Sequence, residues 1–121
     1  MILVVEDEPT ILMLAESIIR GLGHRTLTAF NAAGAEALLL TEAAIEALFT
    51  DIDLGPGPNG LELATTAMTH RPDIKVIYAT AQPLTDGLRE LMVEGAQYIG
   101  KPYAPEEVRA ALAVAFPNRL P

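Results

Sequence analysis

Short apolar runs alternate along the chain with longer segments in which apolar residues recur every three or four positions. The runs occupy residues 2–5, 25–29, 45–50, 75–79 and 97–100. A run such as Ile2-Leu3-Val4-Val5, which has no polar alternation, is typical of a parallel strand covered on both faces. The pattern therefore predicts five strands, each followed by a helix.

Residues that favour helix ends delimit the predicted helices. Pro9 begins the first and Gly23 ends it, while Asn31 is the predicted N-cap of a second helix that runs to about Glu42. The residues predicted to face inward share helical spacing: Ile11, Leu14, Ala15, Ile18 and Leu22 in the first helix, Leu61, Ala64 and Met68 in the third, Leu84, Leu88, Leu91 and Met92 in the fourth, and Val108, Ala111, Leu112 and Ala115 in the fifth.

The last three helices have similar boundary signals. Asn59 and Glu62 have the spacing of a capping box at the start of the third helix, which Pro72 ends. Gly95 is the predicted C-cap of the fourth helix, and Pro105 begins the fifth. Residues 117–121 are expected to fray.

The alternation of strands and helices predicts an α/β fold. Right-handed crossovers between parallel strands place helices on both faces of a sheet. We therefore expect a doubly wound, five-stranded parallel sheet with five helices and the flavodoxin-like strand order 2-1-3-4-5. The 121 residues contain no linker-like segment, so residues 1–121 are predicted to form one domain.

Composition argues against several classes of protein. Sixteen acidic residues against eight basic ones give a net charge of -8, which disfavours nucleic acid or an anionic membrane as partner. The absence of cysteine excludes disulfides and thiolate metal sites. The apolar runs are too short to span a membrane, and the acidic residues after the first run are unlike a signal peptide. We expect a cytoplasmic protein.

Carboxylates follow two predicted strands. Glu6 and Asp7 come directly after the first, and Asp51 and Asp53 end the third. Ligands of open parallel sheets bind at the carboxyl ends of strands, so these acids should lie close together. Their oxygens suit Mg²⁺ better than zinc. With the metal present, a carboxylate such as Asp51 can attack phosphorus and hold it as an acyl phosphate.

The fourth and fifth strand ends carry complementary groups. Thr80 offers a hydroxyl and Lys101 an ammonium, and both groups can bind phosphoryl oxygens. Acid, hydroxyl and cation would thus converge from separate strands, as positioning and electrostatic stabilisation of a phosphoryl group require.

Five segments in order resemble the receiver domain of two-component response regulators, over essentially the whole chain. They are Val4-Val5-Glu6-Asp7-Glu8, Thr50-Asp51-Ile52-Asp53-Leu54, Asn59-Gly60-Leu61-Glu62-Leu63, Ala79-Thr80-Ala81 and Tyr98-Ile99-Gly100-Lys101-Pro102-Tyr103. Two features depart from the usual pattern: Glu6 stands where Asp is commoner, and the loop from Asp51 to Gly60 is one residue longer. Lys101-Pro102 is similar to the family's cis peptide.

The resemblance implies a role for each matched residue. Asp51 would accept a phosphoryl group from a partner's phosphohistidine, and Thr80 and Lys101 would contact the phosphoryl oxygens. Glu6, Asp7, Asp51 and the backbone carbonyl of Asp53 would bind Mg²⁺. Tyr98 matches the aromatic residue that swings inward as Thr80 moves.

The leading hypothesis is a stand-alone receiver, a binding module switched by phosphorylation rather than an enzyme acting on an external substrate. Its expected partners are a sensor histidine kinase or histidine phosphotransfer protein, and a downstream protein target bound through the fourth helix, fifth strand and fifth helix. A homodimer is left open. No DNA-binding effector follows within these residues, which favours regulation by protein contact or a phosphorelay.

Three alternatives share parts of this pattern. Phe49-Thr50-Asp51-Ile52-Asp53 resembles the Asp-x-Asp sequence of haloacid-dehalogenase-type phosphohydrolases, although that sequence normally closes the first strand. A pseudo-receiver would bind partners without phosphorylation, but the acidic, Thr and Lys residues are all present. A flavodoxin-like FMN protein is disfavoured because acids stand where a phosphate-binding loop would follow the first strand.

Overall fold

The computed structural model describes residues 1–118 and contains one five-stranded parallel sheet in the order β2-β1-β3-β4-β5. The strands are β1 (Ile2–Val5), β2 (Thr26–Ala29), β3 (Ala47–Asp51), β4 (Lys75–Thr80) and β5 (Gln97–Gly100). The predicted fold class and strand order are confirmed. The predicted fraying of the tail falls largely on 119–121, outside the described residues.

Five helices connect and follow the strands. They are α1 (Pro9–Gly21), α2 (Ala32–Thr41), α3 (Gly60–His70), α4 (Asp86–Leu91) and α5 (Pro105–Ala115). Within residues 1–118, none of them is both long and apolar enough to cross a membrane.

The sheet separates two hydrophobic cores because successive strand residues point to opposite faces. On one face, Leu3, Leu48 and Val76 pack with side chains of α2 and α3. On the other, Val4 and Phe49 pack with α1 and α5. Burial on both faces explains why the strands are continuous apolar runs.

Several predicted helix ends are confirmed. The Asn59 side chain accepts the Glu62 N–H at 2.9 Å, and the Glu62 carboxylate accepts the Asn59 N–H at 3.1 Å, so the capping box is present. Asn31 caps α2 by accepting the Gly34 N–H at 2.8 Å. The four predicted inward residues of α5 are all buried.

The C-terminal end of α2 is capped by a side chain from outside the helix. The Arg71 guanidinium, at the end of α3, donates to the carbonyl of Leu39 at 2.6 Å and of Ile45 at 2.8 Å, and also to the carbonyl of Glu42. The last carbonyls of a helix have no partner within it, so Arg71 supplies donors that α2 itself lacks.

The predicted inward face of α1 is partly wrong. Leu14 is 51% exposed, and the buried residues are Leu12, Ala15 and Ile19. Apolar residues occur on more than one side of this helix, so its periodicity is compatible with two orientations. Packing against the sheet selects the one that points Leu14 outward.

The predicted fourth helix is also corrected. Thr85 caps α4, so the helix begins after Leu84, and it ends at Leu91 rather than near Gly95. In this helix of fewer than two turns Leu88 is buried, while Leu91 is 63% exposed. Gly95 instead lies in the turn before β5, with φ at +82°.

Candidate functional site at the carboxyl edge of the sheet

The strand register gathers the predicted site residues at one edge. Val5 pairs with Thr50, so Glu6 and Asp51, one residue further along each strand, lie side by side. Asp51 pairs with Ala79, and Thr80 pairs with Gly100. The ends of β1, β3, β4 and β5 thus bring together residues that are far apart in the sequence.

Asp51 is a largely buried carboxylate, 7% exposed, at the end of β3. Its Oδ1 accepts the Asp53 N–H at 3.3 Å, and its backbone carbonyl accepts the Thr50 hydroxyl at 2.8 Å. That carbonyl also faces Gly60, the first residue of α3, where a Cβ atom would lie only 2.0 Å from the oxygen. The close approach requires glycine at this position.

Glu6 and Asp7 complete an acidic cluster with Asp51. One carboxylate oxygen from each of the three residues lies within 4.8 Å of the other two. Glu6 is 4% exposed, whereas Asp7 is exposed to solvent. Burial raises the pKa of Glu6 from 4.5 to about 7, and the nearby charge of Asp51 adds to this shift, while the hydrogen bond from Lys101 opposes it.

Lys101 is the cation of the site. Its Nζ lies 3.0 Å from Asp51 Oδ2 and is hydrogen-bonded to Glu6 Oε1. Burial lowers the pKa of this ammonium, but the hydrogen bonds to Glu6 and Asp51 outweigh burial and raise it. Lys101 therefore remains charged. The Lys101-Pro102 peptide is cis, as the resemblance implies.

Tyr103 supports the segment that carries Lys101. Its ring meets that of Phe49, a buried residue of β3, edge to face at a centroid distance of 5.8 Å. Burial raises the pKa of Tyr103 to about 12, so its phenol stays neutral beside the acids. The contact joins the segment after β5 to the strand that ends in Asp51.

The donor set fits a hard divalent cation. The clustered atoms of Glu6, Asp7 and Asp51 are carboxylate oxygens, which Mg²⁺ prefers. The exposure of Asp7 leaves one side open to solvent, as suits a cation that retains several waters. The carboxylates of these three residues are thus compatible with Mg²⁺ in chemistry and proximity.

Thr80 is fully buried at the end of β4. Its hydroxyl accepts the N–H of Gln82 at 3.1 Å, and its carbonyl accepts the N–H of Lys101 at 2.8 Å. The structure thus places Thr80 at the same edge as Asp51, with its hydroxyl bound by Gln82.

Tyr98 lies on β5 and is half-buried. Its hydroxyl donates to the backbone carbonyl of Gln82 at 2.9 Å. The ring is therefore attached to the segment that follows Thr80, two residues beyond the end of β4.

Gln82 is a site residue that sequence reasoning missed. Its side-chain amide donates to both carboxylate oxygens of Asp53, each at 3.0 Å, in addition to its backbone contacts with Thr80 and Tyr98. The only signal in the sequence is its position two residues after Thr80, in a segment without periodicity.

Comparison with known proteins identifies this arrangement. The sequence matches the family model of the response regulator receiver domain over residues 2–113. The Phyllosphere-induced regulator PhyR of Methylorubrum extorquens is 32% identical over 118 residues, which are 95% of this chain and 43% of that protein. The chain therefore spans less than half the length of this curated relative.

Two solved structures resemble the whole chain. The solution structure of the receiver domain of PhyR from Erythrobacter litoralis has 30% identity and a TM-score of 0.82, covering 98% of this chain and 90% of that one. The receiver domain of NtrX from Brucella abortus has 29% identity and a TM-score of 0.85, covering 98% and 100%. The chain belongs to the response-regulator receiver domain family of two-component signalling.

Proposed function

We propose that Asp51 accepts a phosphoryl group from the phosphohistidine of a sensor histidine kinase or histidine phosphotransfer protein, with Mg²⁺ bound beside it. The observation that carries the proposal is the placement of Asp51, whose carboxylate lies within 4.8 Å of carboxylate oxygens of Glu6 and Asp7 and 3.0 Å from the ammonium of Lys101. This arrangement offers a nucleophile, a metal-binding group and a fixed cation around one point.

The transfer exchanges one bond to phosphorus for another. A carboxylate oxygen of Asp51 forms a P–O bond as the P–N bond to the donor imidazole breaks, and the electron pair of that bond returns to the imidazole nitrogen. The product is an acyl phosphate on Asp51 and a histidine that takes up a proton from solvent. When bound at Glu6, Asp7, Asp51 and the Asp53 carbonyl, Mg²⁺ supplies positive charge for the transferring oxygens.

The protein's own groups position the phosphoryl group. Lys101 is already held at Asp51, so its ammonium can bind an oxygen of the incoming group without a large movement. The Thr80 hydroxyl accepts a hydrogen bond from Gln82, and its own proton is available for donation to a phosphoryl oxygen. Thr80 ends β4, and the Lys101 ammonium is already held by Glu6 and Asp51, so little entropy is lost in positioning these donors.

The output is a changed protein-binding surface. Thr80 is followed by the connection to α4, and Tyr98 is attached to that same connection, so a movement of Thr80 reaches α4 and β5. We propose that a downstream protein reads this change on α4, β5 and α5. The domain over residues 1–121 acts in the cytoplasm as a switch, without turnover of an external substrate.

Intact-mass measurement after incubation with acetyl phosphate and Mg²⁺ tests the chemistry. The expected result is one added phosphoryl group, absent without Mg²⁺ and absent in Asp51→Asn. Asp73→Asn is the matched control, because Asp73 is an exposed acid in the turn before β4, at the opposite edge of the sheet. This variant should be labelled like the wild type.

Two outcomes would contradict the proposal. An added phosphoryl group that persists in Asp51→Asn would show that another residue is the acceptor. No adduct, together with no binding of the phosphate mimic beryllofluoride, would indicate a pseudo-receiver. Continuous release of phosphate from a small phosphomonoester would instead indicate the phosphohydrolase chemistry considered from the sequence.

A further inference from the structure

We propose that Gln82 is a positioning residue whose side chain, by binding Asp53, holds the β4–α4 connection in its unphosphorylated arrangement. This contact opposes the movement of Thr80 and Tyr98. The inference rests on the proposed function, because it concerns the switch that phosphorylation of Asp51 operates. We call the contact between the Gln82 amide and the Asp53 carboxylate the amide bridge.

The connection that carries Gln82 has no apolar anchor of its own. Residues 81–87 are all exposed, and the next buried side chain is Leu88 in α4. A segment of this kind is free to move unless polar contacts hold it. The amide bridge is such a contact, since the Gln82 amide lies 3.0 Å from both Asp53 oxygens across 29 positions of sequence.

Holding Gln82 also holds the two switch residues. Its backbone N–H donates to the Thr80 hydroxyl at 3.1 Å, and its carbonyl accepts the Tyr98 hydroxyl at 2.9 Å. Displacement of Thr80 towards a phosphoryl group lengthens the first bond, and rotation of Tyr98 away from the connection breaks the second. The amide bridge therefore favours the present arrangement of both residues.

The bridge also joins the switch to the phosphoacceptor. The Asp53 N–H donates to Asp51 Oδ1 at 3.3 Å, while the Asp53 carboxylate holds Gln82. A phosphoryl group on Asp51 changes the acceptor presented to that N–H and adds negative charge beside the Asp53 carboxylate. The contacts thus form one continuous path from Asp51 through Asp53 and Gln82 to Tyr98.

Loss of the bridge should raise the population of the activated arrangement before any phosphorylation. The apparent affinity for a ligand of that arrangement rises in proportion to its population. Both side chains are exposed, so the contact is worth a modest charge-assisted hydrogen bond, and we expect an effect of about two- to fivefold.

The experiment compares wild type with Gln82→Ala, Asp53→Ala and the double variant, and uses Asp73→Ala as a matched control for lost charge. Beryllofluoride affinity is measured at saturating Mg²⁺, so that a change in metal affinity does not enter. Backbone amide shifts of Tyr98 and Gly100 are recorded with and without the mimic to report the fraction activated. Thermal unfolding verifies that each variant is folded.

The expected result is a two- to fivefold tighter apparent affinity in Gln82→Ala, with unliganded shifts displaced towards the liganded positions. The double variant should match Asp53→Ala, because the amide bridge is already absent there and Gln82→Ala has no contact left to remove. Unchanged affinity and shifts in Gln82→Ala, or strictly additive effects in the double variant, would overturn the role of the bridge. Absence of beryllofluoride binding in the wild type would instead overturn the proposed function, and the inference with it.

Discussion

Replacement of Gly60 by alanine tests how closely α3 approaches the phosphoacceptor. In the wild type a Cβ atom at this position would lie 2.0 Å from the Asp51 carbonyl oxygen and 2.9 Å from the Ile52 Cα. Carbon and oxygen atoms in contact are normally separated by roughly 3.3 Å, so the start of α3 must move by about 1 Å. The neighbours are backbone atoms, which cannot rotate away.

The expected cost has two parts. Overpacking of a rigid site destabilises by about 1–3 kcal/mol. The movement also disturbs the hydrogen bond from the Gly60 N–H to the Ile52 carbonyl, 2.7 Å long, which is worth roughly 0.5–1.5 kcal/mol net. We therefore expect Gly60→Ala to lower the free energy of unfolding by about 2–4 kcal/mol and Tm by roughly 8–15 °C.

Gly21→Ala is the matched control for this change. Gly21 ends α1 and is exposed, and a Cβ atom added there would have no neighbouring atom within 4 Å, so the same substitution meets open space. Alanine has the higher helix propensity, and we expect a stabilisation of up to about 1 kcal/mol. Urea denaturation measures both variants. A Gly60→Ala variant within about 0.5 kcal/mol of wild type would refute the close approach, since surface changes commonly fall in that range.

Four further predictions follow from single residues. Tyr78→Phe removes the hydroxyl that accepts the Val93 N–H at 3.1 Å. We expect the free energy of unfolding to fall by about 1 kcal/mol and the Val93 amide to exchange faster with solvent, as measured by NMR. Unchanged exchange at Val93 would contradict the contact. Arg71→Lys should lower Tm, because a single ammonium cannot replace a guanidinium that donates to several carbonyls at the end of α2. A Tm equal to that of the wild type would contradict the role of Arg71 as a cap of α2. Under the proposal that Glu6 binds Mg²⁺, the metal displaces the proton that Glu6 holds with a pKa of about 7. Mg²⁺ affinity, measured by calorimetry, should therefore rise between about pH 6 and pH 8, and Glu6→Gln should flatten this dependence. Without metal, the raised pKa of Glu6 gives a contribution to the free energy of unfolding that is fully present below pH 4.5, the pKa in the unfolded chain, and is lost as pH rises through about 7. The wild type should therefore lose stability relative to Glu6→Gln over this range. An increase in its relative stability would contradict the raised pKa.

Much of the site could be predicted because parallel topology brings strand ends together. Glu6, Asp51, Thr80 and Lys101 each stand at or directly after a strand, and the register places these ends at one edge. Gln82 could not be predicted in the same way. Its contact with Asp53 depends on the path of an exposed connection, which has no periodicity to read.

The sequence by itself determined the order and type of the elements, the capping of α3 by Asn59 and the inward face of α5, because these depend on local periodicity and on contacts within a few residues. Only the tertiary structure decided that Leu14 points outward, that α4 is short, and that Gln82 joins Asp53 to Tyr98. In each case several arrangements are acceptable locally, and the one that forms is the one that packs best against distant parts of the chain. Local sequence patterns do not contain that information.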